Sequence, residues 1–244
     1  MLTDSVEWLT LSKSLSREKQ MTKDYFGIAE RKLRERTDPY FCATRRKSLH
    51  STDFSIISNN CWAGSVYRYY GLPYQSPTAG LYFFASDYVK FASDLRHYIA
   101  STLEFIDARD SAHVAALERK GEADKVIARL DDIEVVFLHY PTVEEARVKW
   151  ERRCRRINWD NLFIKFSQMN ECSAQDIEAF DAIGFPNKIC FTARPMPQVK
   201  CGLYFPGFEM NNQIANDTDR FCRGFDLTAW LNSEPARYPE LPSA

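Results

Sequence analysis

The chain has no run of eighteen apolar residues, no Gly-x-x-x-x-Gly-Lys and no Gly-x-Gly-x-x-Gly. Without the first, nothing is expected to span a bilayer. Without the other two, the phosphate-cradling and dinucleotide fingerprints are excluded. Histidine is scarce: His50, His97, His113 and His139 form no local metal-ligand pair, so no metal site is expected. The seven cysteines are odd in number and never spaced as Cys-x-x-Cys, which excludes a disulfide framework and a zinc ribbon. The start, Met-Leu-Thr-Asp-Ser-Val-Glu, lacks a basic and then apolar leader, so a cytoplasmic protein is expected. Net charge is only −1, which argues against nucleic acid as a partner and makes any cationic site a local one.

What is present is core-forming material, 45% hydrophobic and 14% aromatic over 244 residues, enough for one large domain with a small appendage. Residues 1–48 are rich in Ser, Lys, Arg and Glu, with Leu9, Leu11, Leu15, Tyr25, Phe26, Ile28 and Leu33 among them. They read as a helical appendage whose better helix, from about Thr22 to Arg36, ends at Asp38-Pro39. Packing or oligomerisation is its plainest role. Arg31, Lys32, Arg34, Arg36, Arg45, Arg46 and Lys47 leave peripheral membrane contact or partner docking open.

Residues 49–244 read as a single α/β domain. Strands are expected at 54–58, 133–139, 162–166, 188–192 and 201–205. Helices are expected from Asp87 to Thr102, over the charged stretch Arg109–Arg129, from Val143 to Ile157, from Ala174 to Ile183 and near Arg220–Leu231. Thr142 and Glu145 stand in capping-box spacing ahead of the third of these. The alternation predicts a largely parallel, mixed sheet of about five to seven strands covered on both faces.

In such a sheet, polar groups at the carboxyl ends of the strands converge. Those groups are Asn59, Asn60 and Cys61 after the first strand and His139 after the second. Gln168, Asn170 and Glu171 follow the third, and Thr192 and Arg194 the fourth. Cys61 at a helix N-terminus is expected to have a depressed pKa, with His139 as its base; the alternative is a thiol packed under Trp62. Asn59 and Asn60 suit either a tight turn or a ligand oxygen. Ser76 and Thr78 suit either a phosphate or sugar hydroxyl, or the capping of a neighbouring element. Lys149, Arg152, Arg153 and Arg156 recur at helical spacing beside an apolar stripe of Val143, Ala146, Trp150, Cys154 and Ile157. That cationic face suits a pyrophosphate, a lipid-linked phosphate or an acidic polysaccharide, or else is simply solvated. Asp217-Thr-Asp219 is read as the N-cap of the last helix.

Several of these stretches also occur together, in this order. They are Ile56-Ile-Ser-Asn-Asn-Cys-Trp-Ala-Gly64, Ser76-Pro-Thr-Ala-Gly-Leu-Tyr-Phe83, Asp87-Tyr-Val-Lys-Phe91 and Phe137-Leu-His-Tyr140. Glu144-Glu-Ala-Arg-Val-Lys-Trp-Glu-Arg-Arg153, Arg156-Ile-Asn158 and Asn187-Lys-Ile-Cys-Phe-Thr192 follow. The set, over roughly Asp53–Asn232, closely resembles a bacterial family, domain of unknown function nineteen-nineteen, whose members are commonly labelled exopolysaccharide or capsule biosynthesis proteins. The resemblance implies a three-layer α/β/α fold and a polysaccharide-assembly context. Acids tend to follow the third strand in that family; here the run is Ser167-Gln-Met-Asn-Glu171, which leaves Glu171 for that role.

The leading expectation is a transferase for surface glycan with a sugar-phosphate or nucleotide-linked donor. Arg152, Arg153 and Arg156 would hold phosphate, Asn59, Asn60, Ser76 and Thr78 the sugar hydroxyls, and His139 would act as base, with Lys149, Thr192 and Arg194 as further substrate- or phosphate-binding residues. A coenzyme A-dependent acyltransferase using Cys61 or His139 is the second reading. A non-catalytic polysaccharide-binding partner of other assembly proteins is the third. No cofactor is specified by any motif.

Overall fold

The computed structural model describes residues 25–219, 222 and 224–239. Leu9, Leu11 and Leu15 of the expected appendage, and Arg220 at the expected start of the last helix, lie outside the described residues.

The fold is α/β. Four strands form a parallel sheet: β1 (Ser55–Ser58), β5 (Leu162–Ser167), β6 (Lys188–Thr192) and β7 (Gly202–Tyr204), in spatial order β1-β5-β6-β7. β1 and β5 are buried along their whole length, as near-continuous apolar runs in a parallel sheet should be. Alternate residues face two cores. Ile57, Ile164, Phe166 and Cys190 face one, under helices α3 (Ala85–Ser93), α6 (Val143–Cys154) and α7 (Ala174–Ala182). Ile56, Phe163 and Phe191 face the other, under α2 (Trp62–Tyr70) and α8 (Leu227–Leu231).

The expected single sheet is in fact two. The strand at 133–139 does not join the parallel set. It is β4 (Ile133–Phe137), the edge of an antiparallel sheet β2-β3-β4 with β2 (Leu103–Ile106) and β3 (Val126–Leu130). β3 and β4 are joined by only Asp131 and Asp132, and Asp131 takes φ 55°, a tight hairpin connection. Two residues cannot make the crossover that parallel pairing needs. Arg109–Arg129, expected to be helical throughout, is a short 3₁₀ turn, helix α5 (Val114–Lys120) and β3. The helix expected over 87–102 is broken at Asp94 into α3 and α4 (Leu95–Ala100), with the Asp94 side chain accepting from His97 N–H. The last helix is capped by Asp226, not by Asp217 or Asp219.

The segment 81–84 joins the two sheets. Tyr82 exchanges both backbone hydrogen bonds with Val136 of β4 at 2.9 Å, and Phe83 N–H donates to the Asn59 carbonyl at the end of β1. His139 N–H then bonds the Gly80 carbonyl at 3.0 Å, so the end of β4 arrives beside the end of β1 although the strands are in different sheets.

Helix α1 (Tyr25–Arg46) runs through Pro39 rather than ending at Asp38-Pro39. Proline removes one backbone bond, and the lost turn is held from outside. Arg45 pairs with buried Asp38 and also donates to Tyr69 O, and Arg46 donates to Tyr70 O and Gly71 O. Gly71 has φ 61°, and a Cβ there would lie 2.8 Å from both Cys42 Sγ and Arg46 Nη1, so glycine is required on two grounds. α1 therefore docks through polar and small groups. Its large apolar residues Phe26, Leu33 and Tyr40 are exposed.

Candidate functional site

The carboxyl edge of the parallel sheet opens into a cleft of about 1500 Å³. Its floor is Asn60, Cys61 and Met169; its walls come from α1, α2, α5, α6, the 79–82 segment, the end of β4 and the loop 213–219. This is where an open α/β sheet binds ligands. Gly80 (φ 87°) lines it, with the Tyr140 ring 3.0 Å from where a Cβ would stand.

Under the floor lies a charged network that the sequence reading did not find. Lys165, on β5 and fully buried, pairs with Asp217, also fully buried. Asp217 accepts further from Ser167 Oγ at 2.5 Å and Asn60 Nδ2 at 2.7 Å, while Asn60 Oδ1 accepts from Trp62 N–H at 3.2 Å and Lys165 at 3.3 Å. The Lys165 ammonium stands 5.0 Å from the Phe191 ring centre and 5.3 Å from that of Trp62. Burial pushes its pKa below the usual lysine range, against the opposing pull of Asp217. The buried acid beside the end of β5 is Asp217, from a distant loop. Glu171 is instead exposed, ion-paired with Arg119, and sits with Asn170 in two successive left-handed conformations (φ 64° and 55°). The signal missed was a lysine within an otherwise apolar strand, which needs a buried acid wherever both sheet faces are covered.

Cys61 lines the cleft, but its thiol is not activated. Burial pushes it up to about 11, outweighing the lowering by a backbone hydrogen bond at Gly80, and Asp217 adds to the rise. The expectation of a depressed thiolate is overturned, because desolvation exceeds what one helix terminus supplies. His139 lies exposed on the cleft rim. Burial first, and then the positive charge of Arg68, lower its pKa, so its imidazole is neutral at pH 7.

Most of the expected sugar-holding groups are used internally. Asn59 is fully buried; its amide donates to Ser167 O at 2.9 Å and accepts from Ser167 N–H at 3.0 Å, extending the β1–β5 ladder by one rung. Thr78 Oγ1 accepts from Ser58 N–H at 3.1 Å and lies 2.9 Å from Ser76 Oγ; both residues are fully buried and cap the end of β1. Thr192 donates to Arg194 O, and Arg194 to Glu209 O, and neither residue lines the cleft. Of the polar groups expected at the strand ends, Asn60, Cys61, His139, Asn170 and Glu171 line the cleft, whereas Asn59, Gln168, Thr192 and Arg194 do not.

The cationic residues of α6 divide. Lys149, paired with Glu145, and Arg153 line the cleft. Arg153 is buried where the apolar stripe was expected, donating to Ala79 O at 2.5 Å and to Tyr140 Oη, while Val143 is exposed. Thr142 caps α6 by accepting from Glu145 N–H at 3.2 Å. Arg152 and Arg156 turn instead into a second cavity of about 770 Å³. Arg68 of α2, not singled out from the sequence, lines both. Among the described residues no group of His, Cys, Asp and Glu stands ready to hold a metal, and no helix is long and apolar enough to cross a membrane.

Two comparisons bear on this chain. The family described as "Domain of unknown function (DUF1919)" matches residues 33–232. The match begins inside α1, so part of that helix is included in the matched region rather than standing outside it as the resemblance had suggested. A Haemophilus influenzae protein described as "Uncharacterized protein" is 29% identical over 196 residues, spanning 78% of this chain and 89% of its own length.

Proposed function

The chain belongs to the DUF1919 family, and we propose that it is a transferase of surface-glycan assembly that takes a phosphate-bearing sugar donor in the sheet-edge cleft. The observation that carries this reading is the cationic wall. Arg68 and Lys149, from two different helices, line a cleft at the carboxyl ends of parallel strands, and neutral His139 stands on the rim of the same cleft. Guanidinium and ammonium groups there hold phosphate oxygens, Arg68 in bidentate fashion. His139 takes the proton from an acceptor hydroxyl as that oxygen attacks the sugar carbon and the phosphate leaves. Asn60, whose amide is engaged by Asp217, Met169, Trp62 and Lys165, shapes the floor beneath the sugar. The Lys165–Asp217 pair takes no direct part; it fixes the floor and the loop 213–219. The glycan context comes from the sequence resemblance, the donor class from the cations.

The test is a thermal-shift panel of uridine- and guanosine-diphosphate sugars, free nucleotides and coenzyme A thioesters. Ligand at a hundred times its Kd should stabilise the native state by about 2.7 kcal/mol, or several degrees in melting temperature. Arg68→Ala with Lys149→Ala should abolish the shift by a nucleotide sugar. A response to coenzyme A alone contradicts the sugar-donor reading.

A further inference from the structure

The second cavity, of about 770 Å³, lies beside the cleft and shares Glu35, Arg68, Tyr74 and Arg153 with it. α1 roofs it through Glu35, Asp38, Pro39 and Cys42, held down by the Arg45 and Arg46 bonds to the end of α2. Its lining combines two chemistries: the guanidinium groups of Arg68, Arg152, Arg153 and Arg156, and the apolar surfaces of Leu72, Pro73 and Tyr74.

The arginines exceed what the protein itself needs there. The carboxyl ends of α2 and α6 both point this way, and each helix end is worth roughly half a negative charge. Two such ends offset about one cation of the four. The acids add little. Asp38 is paired with Arg45 at 2.5 Å, and Glu35 with Arg31 at 3.1 Å, leaving Arg68 a longer 3.7 Å approach to Glu35. Arg153 is fixed internally by Ala79 O and Tyr140, with its guanidinium 5.1 Å from the Tyr74 ring centre. Arg152 and Arg156 are exposed, one turn apart, and have no side-chain partner among the described residues. Like charges gathered this way repel, and an anion between them removes the repulsion.

We propose that this cavity binds a phosphate ester carrying an apolar chain. The phosphate lies against Arg68, Arg152 and Arg156 and the chain along Leu72, Pro73 and Tyr74. If the adjoining cleft holds the donor, as proposed above, this ester is the acceptor, and Arg68 stands between the two phosphates. The acceptor role rests on that reading; the binding itself does not.

Calorimetric titration of the full chain with hexyl phosphate and with inorganic phosphate tests it. Hexyl phosphate should bind at least tenfold tighter than inorganic phosphate, because the chain buries methylene groups that phosphate lacks. Arg152→Ala with Arg156→Ala, two exposed sites, should weaken hexyl phosphate at least tenfold, whereas Arg119→Ala, on the cleft's far side, should leave it unchanged. Equal affinity for the two probes overturns the proposal, as does undiminished hexyl phosphate binding by the double variant, or no binding by the wild type. A chain that responds to nucleotide sugars but not to hexyl phosphate loses this inference and keeps the proposed function. The converse result keeps the cavity and removes the donor cleft.

Discussion

Replacing Lys165 by Met is the most informative perturbation of the floor. The two side chains have similar length, so little cavity forms, and the loss falls on electrostatics. Asp217 would remain fully buried with only Ser167 Oγ and Asn60 Nδ2 to hold it. Breaking one side of a buried pair costs about 3–5 kcal/mol. A ceiling exists, because the stranded carboxylate can escape by taking up a proton. From an ordinary aspartate value of about 3.9, that costs about 4 kcal/mol at pH 7 and only about 1.5 kcal/mol at pH 5. Lys165→Met should therefore lower stability by about 3–4 kcal/mol at pH 7, and melting temperature by about 6–16 °C for a domain of this size. The deficit should shrink to about 1.5 kcal/mol or less at pH 5. Urea unfolding followed by tryptophan fluorescence at both pH values measures it. Lys165→Met combined with Asp217→Leu should recover part of the loss, since the buried charge is gone. A deficit below about 1 kcal/mol at pH 7, or one that does not change with pH, would refute the argument that Lys165 exists to neutralise Asp217.

Three further outcomes are expected. For His113, burial opposes the charge, but the hydrogen bond and charge of Asp87, with Glu134 and Glu171 nearby, outweigh it and raise its pKa above 6.5. Its contribution to stability is full below pH 6.5 and is lost as pH rises through the raised value; His113→Gln should flatten urea-unfolding free energies between pH 6 and 8.5, and an unchanged slope would count against the pair. Cys61, with its thiol near 11, should alkylate with iodoacetamide at pH 7.5 far more slowly than a free cysteine, read residue by residue by mass spectrometry; rapid labelling would restore the nucleophile reading. His139→Ala should reduce kcat about 10²–10⁴-fold once a transfer assay exists. The wild-type rate should fall only below pH 6.5, because the imidazole is already neutral above it.

What the sequence disclosed follows the range of the forces involved. The Asn60-Cys61 strand end was legible because a β-branched run stopping at small polar residues is a local pattern. His139 was placed near it on the premise of a parallel strand; the premise failed, and the Tyr82–Val136 and Phe83–Asn59 backbone bonds brought His139 there instead. The antiparallel sheet was hidden because the charges around Val126–Leu130 looked helical, although Asp131-Asp132 between two apolar runs was a hairpin signal. From the sequence Asp217 reads as a cap, because a single sequence carries no trace of a pairing between residues 165 and 217. Asn59, Ser76 and Thr78 follow the alternative reading, as turn and capping groups. Polar residues at a strand end suggested ligand contacts, whereas each closes a backbone bond that the turn leaves open.

The central claim is that the sheet-edge cleft holds a phosphate-bearing sugar, and a crystal structure grown with a saturating nucleoside-diphosphate sugar tests it most directly. The account predicts the diphosphate within hydrogen-bonding reach of Arg68 and Lys149, with the sugar beside His139 and Asn60. Ligand bound away from these residues, or an unchanged cleft at saturation, would contradict it.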